Sequence, residues 1–148
     1  MPVIQPNQFA PIMFLPGEAW VLFDPINVRY LVLEVLSRRT ALKNAVNIVK
    51  ELTKGVEGDY YFALIRVPVG LGGDHRVVNW QFPYINAIIH GPSGEYIWIK
   101  GIDIEVKETK VPIGLRLDKF LKTILPSPSE FYEKYYQMLK EEFLRKVK

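Results

Sequence analysis

A chain of 148 residues, 49% apolar and 24% charged, is long enough for one folded domain and too apolar to stay disordered. It has no cysteine, which excludes disulfides, thiol nucleophiles and cysteine-held metals; its two histidines, His75 and His90, lack partners at metal-ligand spacing, so no metal or cofactor is expected. A net charge of +3 permits a nucleic-acid partner without requiring one.

No apolar run approaches the roughly 18 residues that span a bilayer. Met1–Pro16 carries four prolines and no basic n-region, so it reads as an extended arm lying on the domain and not as a secretory signal. A cytoplasmic protein is the expectation, and the Lys- and Glu-rich, Cys-poor composition is that of a thermophile.

After the arm, Glu18–Asp24 reads as a strand, Asp24-Pro25-Ile26-Asn27 as a turn, and Val28–Leu36 as the returning strand. A helix begun at Asp24 with Pro25 in its first turn is the rival reading. Leu42, Ala45, Val46, Val49 and Leu52 recur at helical spacing between Thr40, a good N-cap, and Gly55, which predicts a helix over 41–54. Four strands follow, Asp59–Val69, Arg76–Phe82, Tyr84–His90 and Glu95–Lys107, joined by turn-forming residues in the manner of an antiparallel meander. Leu117, Phe120, Leu121 and Ile124 mark a further helix, and Ser127-Pro128-Ser129-Glu130 is a capping box that starts the last one. The expected whole is a single α+β domain over 1–148: an antiparallel sheet backed by about three helices, with a C-terminal helix over 127–148.

Period-two reading of the strands gives the functional expectation. Tyr60, Phe62, Leu64 and Arg66 share one face of the first meander strand, and Tyr96, Trp98 and Lys100 one face of the last. Past Gly101 the apolar set shifts phase to Ile102, Ile104 and Val106, which predicts a β-bulge. In the middle strand Arg76, Trp80 and Phe82 share a face. Rings beside cations are the chemistry of single-strand binding, because bases stack on aromatic faces while Lys and Arg track phosphates. Arg38 and Arg39, placed just before the expected helix start, add candidate phosphate contacts. Aromatic residues also pack well on a pleated surface, so the same rings would be core if helices covered both faces.

Weaker signals stand beside this one. Glu105-Val106-Lys107 matches the E-x-K half of a Mg²⁺-dependent nuclease pattern, with Asp74 in the glycine loop as the candidate for the acid that the pattern wants on a preceding strand or turn, and alternating charge is also what a solvated strand face looks like. The Gly70–Asp74 loop lacks the Lys-Ser/Thr ending of a phosphate loop and reads as a hairpin tip. No serine or threonine has a recognisable nucleophile setting. The final helix carries Tyr132, Tyr136, Leu139 and Phe143, widened by Phe131, Met138, Leu144 and Val147; the stripe suits docking on its own domain or self-association. With the apolar arm, it motivates a second functional reading, a structural or assembly subunit.

The chain length, the helix-backed antiparallel sheet, the interleaved Tyr60, Phe62, Arg66, Trp80, Phe82, Tyr96, Trp98 and Lys100, and the terminal helix together resemble the ThermoDBP-related proteins of hyperthermophilic archaea. The resemblance implies a non-catalytic homo-oligomer that binds single-stranded DNA or RNA in an aromatic cleft flanked by basic residues.

Overall fold

The computed structural model describes residues 3–4, 16–35 and 37–147. In chain order the elements are β1 (Val3–Ile4), β2 (Pro16–Asp24), β3 (Arg29–Val35), α1 (Arg38–Leu52), β4 (Tyr60–Leu71), β5 (Val77–Trp80), β6 (Tyr84–Gly91), β7 (Tyr96–Asp103), β8 (Val111–Pro112), α2 (Leu117–Ile124) and α3 (Pro128–Val147). The expected arm over 1–16 lies outside the described residues apart from Pro16 and β1, which pairs with β8. The main sheet is six-stranded and antiparallel, in the order β3-β2-β4-β6-β7, with β5 attached to β4. The α+β class and the helix-backed sheet are therefore as expected.

Asp24 builds the first hairpin. Its side chain is wholly buried and accepts from the amides of Ile26 (2.9 Å) and Asn27 (3.3 Å), from Asn27 Nδ2 (3.0 Å) and from Arg29 Nε (3.0 Å). Four donors on one carboxylate close the turn, and the strand–turn–strand reading holds over the helical one across the described residues of β2 and β3.

Helix α1 starts earlier than expected, because Ser37 and not Thr40 is the N-cap. Ser37 Oγ accepts from the Thr40 amide at 3.2 Å and its hydroxyl donates to Thr40 Oγ1 at 2.9 Å. Arg38 and Arg39 thus stand inside the first turn. At the far end of the chain the Ser127–Glu130 box forms as read: Ser127 Oγ accepts from the Glu130 amide at 3.2 Å, and Glu130 Oε1 accepts from the Ser127 amide at 3.3 Å. The Ser127 hydroxyl and amide together hold the Glu130 carboxyl below its ordinary range.

The meander expectation needs correction. β5 does not pair with β6; both lie on the same edge of the 12-residue β4, β5 against Val69–Leu71 and β6 against Tyr60–Arg66. The segment around Pro83 leaves the sheet between them, since proline cannot donate to a ladder. β7 ends at Asp103, so Ile104–Lys107 is not strand. The bulge is where the phase flip put it: Gly101 has φ 111°, and the β6–β7 register shifts between Ile85 and Ala87.

Both sheet faces are covered. α1 packs on one, closing Trp20, Leu22, Phe62, Leu64, Ala87 and Ile89 against Ala41, Ala45 and Val49. α2 and α3 pack on the other, over Val21, Phe23, Ile65, Trp80, Ile85 and Ile88. The buried stripe of α3 is Phe131, Tyr135, Leu139 and Phe143, so this helix docks on its own domain. Among the described residues no helix is long and apolar enough to cross a membrane.

Candidate nucleic-acid interface

The two-sided cover divides the expected aromatic–basic face. Phe62 is completely buried beneath α1, and Tyr60 is half-buried at the margin of the same cluster. Trp80 is also completely buried, but on the opposite face, with its ring 5.4 Å from Phe120 and edge-on. Phe82, 40% exposed, leans on Trp80 at 5.9 Å and so belongs to that opposite side. Arg76 donates from Nη1 to the Gly114 carbonyl at 2.6 Å, which commits its head group to the loop before α2. Phe62 and Trp80 are core, and Arg76 and Phe82 do not join the others.

What remains is one contiguous surface at the outer edge of the α1 side. On edge strand β7, Tyr96 is 46% exposed, Trp98 is half-buried and Lys100 is exposed, all in the same phase of the strand. The Tyr96 and Trp98 rings meet edge-on with centroids 6.1 Å apart. The Arg38 guanidinium lies over the Trp98 ring, 4.0 Å from its centroid. Arg39 follows in the same exposed first turn, which contains no acidic residue. Cations here oppose the partial positive charge of the helix N-terminus, a placement that costs about 0.3–1 kcal/mol each where an acidic residue would be favourable. An anion would relieve it.

Arg66 lies at the inner margin of this surface. It donates to Tyr84 Oη at 2.6 Å and its guanidinium is 5.9 Å from the Trp20 ring and 5.8 Å from the Tyr84 ring. Tyr84 in turn abuts Gly101, where an added Cβ would stand 3.3 Å from the tyrosine ring. The bulge therefore brings the Lys100–Gly101 segment of β7 alongside the Arg66–Tyr84 pair.

The E-x-K residues do not converge. Glu105 is ion-paired with Lys134 and lines a groove with Phe82, Tyr135 and Met138. The Lys134 ammonium holds the Glu105 carboxyl below its ordinary range. Lys107 faces a separate apolar groove beside Val32, Leu121 and Lys122. Asp74 sits at the hairpin tip with φ 57°, and no group of three or more potential metal-ligating side chains occurs among the described residues.

Sequence periodicity finds Tyr96, Trp98 and Lys100, but not the Arg38–Trp98 stack, which is a tertiary contact between α1 and an edge strand. No family model, curated protein or solved structure matches this chain.

Proposed function

We propose that this protein binds single-stranded nucleic acid along the outer face of β7. The observation that carries the reading is the Arg38 guanidinium stacked on Trp98, next to half-exposed Tyr96 and exposed Lys100. Rings and guanidinium planes take stacked bases at about 1–3 kcal/mol per base, and Arg39, Lys100 and the helix N-terminus supply charge for the phosphates. A duplex hides its base faces, so this chemistry favours single strands. The resemblance to the ThermoDBP-related binders points the same way and extends the reading to a homo-oligomer, for which exposed Met138, Leu144 and Val147 on α3 offer apolar contact area; the cysteine-free composition suits a cytoplasmic setting.

The test is tryptophan fluorescence. Trp20 and Trp80 are completely buried, so a stacking base can reach only Trp98 directly. Titration with a short single-stranded oligonucleotide should quench Trp98, and affinity should fall with salt at a log–log slope of about −2, for about three phosphates. No binding at low salt, or affinity indifferent to salt, refutes the reading.

A further inference from the structure

The second constellation lies beyond the β6–β7 end of the sheet and does not depend on the nucleic-acid reading. His90 sits near the end of β6, its ring 5.4 Å from the Tyr61 ring and stacked on Phe143 at 5.6 Å with an interplanar angle of 23°. These two rings fix the imidazole plane. Its two nitrogens reach opposite partners: Nε2 is 2.8 Å from Asp59 Oδ1, and Nδ1 is 2.6 Å from Ser93 Oγ.

The polarity of these bonds follows from donor inventory. A carboxylate can only accept, so in the neutral imidazole Nε2 carries the proton and Nδ1 presents a lone pair. The Ser93 hydroxyl must then donate to Nδ1. One lone pair of Ser93 Oγ accepts from the Glu95 amide at 3.1 Å, and the other stays available. The imidazole ring is largely shielded, with 15% of its surface exposed, whereas Asp59 and Ser93 open to solvent. Nucleophile, base and orienting carboxylate are thus in hydrogen-bond contact in the order that acyl transfer uses, with the two ring nitrogens exchanged relative to the commoner arrangement.

We propose that Ser93, His90 and Asp59 form an acyl-transfer centre that hydrolyses small esters. Ser93 Oγ attacks the ester carbonyl carbon as its proton passes to His90 Nδ1. Asp59 holds Nε2–H and stabilises the imidazolium. Collapse breaks the bond to the alkoxy oxygen, which leaves as the alcohol with the proton from Nδ1. Water then attacks the acyl-serine, gives a proton to Nδ1, and releases the carboxylic acid while the proton returns to Ser93. Ser93 and Asp59 are both exposed, in a turn and a loop, so a small ester can reach the hydroxyl.

The experiment uses the full chain with 4-nitrophenyl acetate as substrate and a fluorophosphonate as covalent probe. Expected are a single adduct that peptide mapping places on Ser93, and hydrolysis at least about tenfold faster than in Ser93→Ala. His90→Gln should lose both. Because Ser93→Ala also removes the bond to the Glu95 amide, Ser93→Cys provides a second readout: the chain has no other thiol, and a thiol paired with His90 should be alkylated by iodoacetamide at mildly acidic pH about tenfold faster than free glutathione. An adduct elsewhere, hydrolysis unchanged in Ser93→Ala, or an introduced thiol of ordinary reactivity in Ser93→Cys overturns the proposal.

Discussion

Phe62 and Trp98 point to the same side of the sheet, yet Phe62 is completely covered by α1 while Trp98 remains half-exposed beneath Arg38. The two rings therefore predict opposite phenotypes. Phe62→Ala should cost about 3–5 kcal/mol of stability, seen as a large fall in the denaturation midpoint. Trp98→Ala should leave the midpoint within about 1–2 kcal/mol of wild type and weaken oligonucleotide binding about tenfold or more, one stacking contact being worth about 1–3 kcal/mol. Loss of fold in Trp98→Ala would make it core instead.

A second prediction sets stability against binding in one substitution. Arg39 is exposed at the positive end of α1, where an acid is favoured. Arg39→Glu should stabilise the fold by about 0.3–1 kcal/mol and at the same time reduce affinity for single strands with a shallower salt slope. Thermal melts and titrations at two salt concentrations check both signs. A variant that is less stable and binds equally well would contradict the role given to this turn.

Asp24 is the polar group on which the first hairpin depends. Asp24→Ala strands several donors at a buried turn and should destabilise by about 2–4 kcal/mol. Asp24→Asn, which keeps an acceptor for the two amides, should cost less. Chemical denaturation of the pair measures the difference.

Alkaline pH offers a further check. Burial pushes the Tyr136 phenol up to about 12, and also raises Tyr30 and, with help from nearby Asp59, Tyr61. Unfolded tyrosines ionise near 10, so the unfolded state loses protons first. Stability is fully present below about pH 10 and should fall as pH rises from there through about 12. Tyrosinate absorbance should show a late-titrating class that merges with the rest on unfolding.

Much of the fold is legible in the sequence because its signals are local. Asp24-Pro25 announces a turn, Ser127-Glu130 a cap, and the phase change at Gly101 a bulge. The cover of each face is not legible. Tyr60-Phe62 and Tyr96-Trp98 carry the same alternation, and what separates them is that β4 is central while β7 is an edge. Trp80 falls on the α2–α3 side because it pairs directly with Val69, which shares the Ile65 face of β4, and the register shift at Gly70–Leu71 breaks the alternation along β5. Thr40 looks like a cap because it is one partner of the true cap, Ser37. His90 and Ser93 are neighbours in sequence, but the aspartate that gives their bond its polarity comes from the loop before β4.

The position of β4 also bears on how the chain folds. Its partners β2 and β6 come from before and after it in sequence, with α1 intervening on one side and the β5 hairpin on the other. No single hairpin can template the sheet, and β4 gains its full ladder only after two distant loops have closed. Such topology belongs with the slower two-state folders, on the order of milliseconds to seconds. In stopped-flow refolding, substitutions at Leu64 or Ile65 should slow the folding limb, whereas changes on edge strand β7 should mainly quicken unfolding.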